Sequence, residues 1–164
     1  MSDPEIVIDA AGTFDLGPRR VRRVGYGAMQ LAGDGVFGPP RDRGEALRVL
    51  RAAVAAGVDH IDTAQFYGNG VVNTLIREAL HPYPAELAIV SKVAARGGGD
   101  VATSGDGLLR EIETNLHTLA VEKLAAVNLR MADQTAPGRQ FDAQRLLMLW
   151  AEATADRARW DTAA

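Results

Sequence analysis

Three residues whose side chains could share one reaction occur at regular places along the chain. Asp62 follows the short apolar run 58–61, Tyr67 lies in the loop after it, and Lys92 ends the apolar run 87–92. A tyrosine hydroxyl is a weak acid at neutral pH, but a nearby ammonium would favour the phenolate and make the proton easier to release. A carboxylate would hold that lysine charged and in place. The set suits protonation of a carbonyl oxygen while hydride reaches the carbonyl carbon.

These residues lie where a parallel α/β fold would place functional groups. After a hairpin that turns at Gly17 and Pro18, apolar runs alternate with segments of helical spacing, which predicts alternating strands and helices. The predicted strands cover residues 24–29, 58–61, 87–92 and 124–129, and the predicted helices cover residues 41–56, 71–80, 106–119 and 141–155. Parallel strands lie about 4.8 Å apart and carry their sites at their C-terminal ends, so Asp62, Lys92 and Asn128 could share one pocket.

The glycine motifs bear on which parallel fold this is. A dinucleotide-binding fingerprint needs G-x-G-x-x-G between a strand and a helix, and residues 25–30 and 68–73 both lack the last glycine. No G-x-x-x-x-G-K-[ST] phosphate loop occurs either. Both absences disfavour a doubly wound sheet, and the other fold built from such units is a (β/α)8 barrel.

Each of these site signals has a plainer explanation. An aspartate at a strand end is more often a turn or capping residue, Tyr67 could be a wall residue, and Lys92 could be a solvated charge. Asn128 could satisfy backbone groups in a turn, and His60 fits a structural histidine. The combination of Asp62, Tyr67 and Lys92 at successive strand ends is more specific than any one of them.

Composition excludes several other functions. The 164 residues suit one domain, and a net charge of -3 with no dense basic stretch does not indicate a nucleic-acid surface. The absence of cysteine excludes disulfides and thiolate chemistry, and the three histidines lack metal-ligand spacing, so we expect no metal. We see no signal peptide and no apolar run of the roughly 20 residues that a membrane span needs, so we expect a cytoplasmic protein without membrane contact.

Residues 59–68 closely resemble the N-terminal signature of the aldo-keto reductases. Further matches to this family occur at residues 25–33, 89–93 and 127–130. The bacterial pyridoxal reductase branch is the most similar part of the family, through Asn73 and residues 35–43 and 76–80.

The resemblance implies a (β/α)8 TIM barrel whose bottom is closed by the N-terminal hairpin. It also implies that NADPH, bound without a Rossmann fold, reduces a small aldehyde or ketone. Tyr67 would then be the proton donor, Lys92 would tune it, and Asp62 would pair with Lys92. Asn128 stands where most of the family has a histidine that orients the substrate carbonyl, and the pyridoxal reductase branch shares the asparagine.

The resemblance further implies a place for the cofactor. Ala28 and Met29 would lie near the nicotinamide, with Asp62 beside it. Family members bind most of the adenosine-phosphate end of NADPH with later strands and loops. We therefore expect weak or absent NADPH binding by this polypeptide.

The resemblance covers about residues 14–145, which is the hairpin and about four of the eight βα units of a barrel. We therefore predict one incomplete NADP-dependent oxidoreductase domain over residues 1–164, with a loose arm at 1–12 and a divergent tail from about 145. A frameshift or early stop near residue 145 would explain the tail. Sheet edges left open by a half-barrel predict self-association.

Three functions remain open at this point. The leading one is an NADPH-dependent aldo-keto reductase represented by a truncated chain, whose activity alone is left open. The second is a non-catalytic fragment or interaction module derived from such an enzyme. The third is a barrel enzyme that forms a Schiff base on Lys92.

Overall fold

A computed structural model describes residues 8–94 and 105–130. The N-terminal hairpin is formed by β1 (Thr13–Leu16) and β2 (Arg19–Arg22). The elements that follow are β3 (Tyr26–Gly27), α1 (Arg43–Ala55), β4 (His60–Asp62), α2 (Val71–Leu80), β5 (Ala88–Val93), α3 (Gly105–Leu119) and β6 (Ala126–Leu129). Strands and helices alternate after the hairpin, as the sequence predicts.

The strands β3, β4, β5 and β6 form one sheet in that order, and every neighbouring pair is parallel. The hairpin is a separate antiparallel pair. Within the described residues the sheet does not close on itself, so this is an incomplete barrel of βα units. The predicted α/β class and the parallel pairing are confirmed.

The helices begin and end where the sequence supplies the signals. The Asp42 side chain accepts a hydrogen bond from the Glu45 backbone N–H at 2.8 Å and caps α1, and Gly57 follows its end with φ +98°. In α2, Val72, Leu75 and Ile76 have no exposed surface. Burying each such side chain stabilises the fold by about 1.5–3 kcal/mol, so α2 is fixed by its apolar face.

The main core lies between the helices and one face of the sheet. Side chains alternate along a strand, so Ile61 and Ile89, which are register partners, share the helix-covered face and are buried. Asp62 comes one residue after Ile61, and Lys92 comes three residues after Ile89. Both spacings are odd, so Asp62 and Lys92 point to the opposite face. The face that lines the inside of a barrel therefore carries the predicted reactive groups.

The hairpin is attached to the start of β4 by a buried carboxylate. Both oxygens of Asp59, which is 9% exposed, accept from the Arg22 backbone N–H at 3.0 Å. The Arg22 guanidinium also contacts Asp59 at 3.4 Å. These contacts place the hairpin at the N-terminal ends of the strands, away from Asp62 and Lys92.

Three sequence predictions need correction or lie outside the described residues. The last part of the predicted loose arm forms a 3-10 turn, Ile8–Ala11, because Ile8 is buried. The strand predicted over residues 24–29 is only two residues long, because Ala28 begins a second 3-10 turn. Residues 95–104, and the helix and divergent tail predicted beyond residue 130, lie outside the described residues.

The His60 ring packs so closely against Gly25 that a side chain at this position should destabilise the fold. A Cβ built on it would lie 2.0 Å from the His60 ring, whereas a Cβ on Gly27 would meet nothing within 4 Å. Gly25→Ala should therefore cost about 1–3 kcal/mol of unfolding free energy through overpacking. Gly27→Ala should be neutral or slightly stabilising because it restricts the unfolded chain.

Thermal or urea unfolding followed by circular dichroism measures both variants. Adding His60→Ala to Gly25→Ala should restore part of the loss, because the clash is with that ring. Equal stability of the two alanine variants would contradict the packing argument.

Candidate active site

The predicted catalytic side chains meet at the C-terminal ends of adjacent strands. Asp62 is the last residue of β4, and Lys92 is next to last in β5. The parallel register places Asn128 of β6 directly beside Lys92. Tyr67 begins the 3-10 turn Tyr67–Gly70 that follows β4. One corner of the sheet thus gathers all four residues.

Lys92 is the central group of this corner. Its Nζ donates to Asp62 Oδ2 at 2.6 Å and to the backbone carbonyl of Thr63 at 3.0 Å. The same nitrogen lies 5.0 Å from the centroid of the Tyr67 ring. The lysine side chain is 15% exposed and the Asp62 side chain 42%. Because charge-assisted hydrogen bonds are short and strong, the ammonium is held against the tyrosine.

Tyr67 is fixed by a turn that only a few residues can form. It is 4% exposed and belongs to the main core. After it, Gly68, Asn69 and Gly70 take φ values of 61°, 55° and 91°, which glycine and asparagine tolerate best. A Cβ on Gly68 would also lie 2.6 Å from the Gly38 carbonyl oxygen. The Gly-Asn-Gly sequence therefore lets α2 begin at once and leaves little freedom to the tyrosine.

Asn128 is the exposed member of the group. Its place beside Lys92 follows from the register alone. An asparagine side chain has two N–H donors and no charge. It could therefore donate a hydrogen bond to a carbonyl oxygen held near Lys92.

The residues predicted to contact the cofactor differ in their exposure. Met29 is 39% exposed, but Ala28 has no exposed surface, because the 3-10 turn Ala28–Leu31 directs it into the core. Gly27 is the register partner of Asp62, with open space where a side chain would stand. Asp62 Oδ1 is buried and has no hydrogen-bond partner within the described residues. The chemistry of Met29, Gly27 and Asp62 fits a flat, partly polar ring, whereas Ala28 is not brought to this face.

A buried polar cluster behind the corner escaped the sequence analysis. It joins α2 and α3 to the ends of β4 and β5, and Thr63, Asn73, Ser91 and Asn115 have no exposed surface. A signal was present: Asn73 falls among the apolar positions of α2, and Asn115 lies seven residues after Leu108 on the apolar stripe of α3. A polar residue at such a position needs buried partners.

The described residues contain neither a metal-binding cluster nor a membrane-spanning helix. No group of three or more histidine or acidic side chains there is arranged to hold a metal ion. None of the helices in those ranges has the length and apolar character needed to cross a bilayer.

The aldo/keto reductase family model matches residues 23–156. The chain belongs to the aldo/keto reductase family. The match begins after β2 and includes the whole parallel sheet and all four corner residues. The family resemblance of the sequence is thereby confirmed.

Similar proteins agree with this assignment. Pyridoxine 4-dehydrogenase of Escherichia coli (strain K12) is 53% identical over 126 residues, which are 74% of this chain and 44% of the relative. This identity confirms the resemblance to the bacterial pyridoxal reductase branch that the sequence predicts. The chain thus spans less than half the length of the curated relative.

Solved structures show the same fold. A thermostable aldo-keto reductase in complex with the inhibitor epalrestat has a TM-score of 0.67 and 26% identity, over 88% of this chain and 50% of that one. An aldo-keto reductase from Klebsiella pneumoniae in complex with NADPH has a TM-score of 0.59 and 21% identity, over 84% and 43% of the two chains. The predicted aldo-keto reductase barrel is confirmed as the parent fold of this sheet.

Proposed function

We propose that this chain carries the proton-donating corner of an NADPH-dependent aldo/keto reductase. The observation that carries the proposal is the contact of one ammonium, that of Lys92, with both the Asp62 carboxylate and the Tyr67 ring. Family membership supports an oxidoreductase. NADPH as the reductant is supported by its presence in the similar Klebsiella pneumoniae structure.

Each side chain has a role that follows from its position. Bound NADPH would supply the hydride that reaches the carbonyl carbon. Tyr67 gives its hydroxyl proton to the carbonyl oxygen, and the Lys92 ammonium stabilises the phenolate that remains. Asp62 accepts a hydrogen bond from Lys92 Nζ and holds it beside the ring. Asn128 donates a hydrogen bond to the carbonyl oxygen and orients it.

The cofactor surface proposed within the described residues is small. Met29 and the open backbone at Gly27 would contact the nicotinamide, and Asp62 Oδ1 would accept a hydrogen bond from the bound nucleotide. Because these contacts are few, we propose weak NADPH binding by these residues alone. Fluorescence titration of the chain with NADPH measures it.

The proposed substrate is an aldehyde of the pyridoxal type. The relative that is 53% identical is named a pyridoxine 4-dehydrogenase. Oxidation of a hydroxymethyl group on a pyridine ring gives an aldehyde, and the same site catalyses the reverse reduction. Pyridoxal and simple aldehydes are therefore the substrates to test.

An NADPH-oxidation assay at 340 nm tests this function. We expect turnover with pyridoxal to exceed turnover with an unsubstituted aliphatic aldehyde. Borohydride added together with pyridoxal tests the alternative of a Schiff base on Lys92. It would reduce such a Schiff base and leave a covalent label on that lysine. The geometry disfavours that outcome, because an ammonium held by Asp62 is a poor nucleophile. Reduction of neither aldehyde under saturating NADPH would contradict the proposal.

A second candidate function, an interaction module, is favoured by the sheet edges. Among the described strands, β3 and β6 each have one hydrogen-bonded neighbour. Unpaired backbone groups along such edges pair readily with another chain. We expect the 164-residue polypeptide to self-associate, with a mass above 17.5 kDa by light scattering after size exclusion. A monodisperse monomer with a cooperative melting transition would contradict this expectation.

A further inference from the structure

The buried cluster behind the catalytic corner is centred on Asn73. Its Nδ2 lies 2.9 Å from Gln65 Oε1 and 3.1 Å from both Asn115 Oδ1 and Thr118 Oγ1, so its two N–H groups are shared among three acceptors. Its Oδ1 accepts from the Thr63 hydroxyl at 2.8 Å. One amide thus joins α2, α3 and the loop that follows β4.

The orientation of the Asn73 amide is fixed from outside the cluster. Asn115 Nδ2 donates to the backbone carbonyl of Glu111 at 2.8 Å, so Asn115 Oδ1 must face Ser91 and Asn73 as an acceptor. Asn73 must then present its NH₂ group to that oxygen. Its own oxygen is left for Thr63, and a flipped amide would place two acceptors face to face.

The cluster reaches the reactive groups through two backbone positions. The carbonyl of Thr63 accepts from Lys92 Nζ at 3.0 Å, and the Thr63 N–H donates to the Val90 carbonyl at 2.9 Å. Ser91, the neighbour of Lys92, donates to Asn115 Oδ1 at 2.6 Å. Both strands that supply the ion pair are therefore tied to the same pair of buried amides.

We propose that Asn73 is a positioning residue: through the Thr63 hydroxyl it fixes the carbonyl that, with Asp62, holds the Lys92 ammonium against Tyr67. The proposal rests on the proposed function for its catalytic meaning. A buried amide bonded on every side rigidifies what it contacts, whereas an apolar residue there would pack without specifying direction. The cluster therefore sets where the ammonium points, in addition to filling space.

The test uses the full 164-residue chain and three threonine variants. Thr63→Val keeps the side-chain shape and removes the hydroxyl, and Thr63→Ser keeps the hydroxyl. Thr114→Val makes the same change at an exposed α3 position whose hydroxyl donates to the Arg110 carbonyl and not to the cluster. The chain has two lysines, Lys92 and Lys123, so the ammonium signals in nitrogen-15 NMR give one reporter and one internal control.

The first readout is proton exchange of the Lys92 ammonium. Losing the constraint on one hydrogen bond should speed that exchange about tenfold in Thr63→Val. Lys123 should be unchanged, and Thr63→Ser and Thr114→Val should behave like the parent chain. Asn73→Ala should reproduce the Thr63→Val result if the amide acts through Thr63. Unchanged Lys92 exchange in Thr63→Val would overturn the proposal.

The second readout is the division between kcat and KM. We expect kcat with pyridoxal to fall by about 10- to 100-fold in Thr63→Val, with KM unchanged, because a displaced ammonium affects the reaction and not substrate binding. Restored kcat in Thr63→Ser supports positioning. A parent chain without turnover would contradict the proposed function, and the NMR result would still decide the role of Asn73.

Discussion

A Tyr67→Phe variant should reduce pyridoxal about 10²- to 10⁴-fold more slowly than the parent chain, which is the usual contribution of a general acid. The substitution removes one oxygen and keeps the ring that Lys92 contacts at 5.0 Å. The Lys92–Asp62 ion pair and the core packing of Tyr67 should therefore survive. The loss should appear in kcat, measured as NADPH oxidation at 340 nm under saturating pyridoxal, and not in NADPH binding.

Tyr83→Phe is the matched control for this experiment. The Tyr83 hydroxyl donates to the backbone carbonyl of Leu119 at 2.7 Å, at the end of α3 and apart from the corner residues. Burial raises the pKa of Tyr83 to about 12, so this phenol stays protonated throughout the assay range. We expect Tyr83→Phe to lower the melting temperature and leave kcat unchanged. Equal kcat losses in the two variants would show that Tyr67→Phe acts through stability.

The meeting of Asp62, Lys92 and Asn128 at one corner of the sheet was predictable because it depends on periodicity. Strand ends can be read from short apolar runs, and parallel strands place their C-terminal ends together whatever the details of packing. Asp62, Lys92 and Asn128 needed no more than this to be placed side by side. Tyr67 was predicted only as a residue of the following loop. The left-handed Gly-Asn-Gly turn that holds it and starts α2 is seen only in the structure.

What was missed depends on contacts between residues distant in the sequence. The strand predicted over residues 24–29 ends early, because a 3-10 turn begins at Ala28 and buries it, and no local pattern distinguishes that turn from a longer strand. Asn73 and Asn115 are 42 residues apart and find each other only when α2 packs on α3. A sequence shows that a polar residue lies on an apolar face, but the partner that satisfies it is decided by tertiary packing.

Lys92→Met should both slow the reaction and destabilise the chain. Removing the ammonium takes away the charge that stabilises the Tyr67 phenolate, so kcat should fall by at least about 10²-fold. Asp62 Oδ2 and the Thr63 carbonyl would also lose their donor. Leaving such groups unsatisfied costs about 1–3 kcal/mol, and the 42% exposure of the Asp62 side chain favours the lower end of that range. Lys123→Met, at the other and exposed lysine, is the control.

Adding Asp62→Asn to Lys92→Met separates the two effects. The uncompensated carboxylate disappears in the double variant, so its unfolding free energy should recover part of the loss and differ from additivity by about 0.5–3 kcal/mol. The reaction should not recover, because the ammonium that stabilises the phenolate is still absent. Urea unfolding and the NADPH-oxidation assay on the four chains of the cycle measure both quantities. Strict additivity of the unfolding free energies would show that the ion pair contributes nothing to the fold. A kcat that recovers in the double variant would show that Lys92 affects the reaction only by neutralising the Asp62 carboxylate.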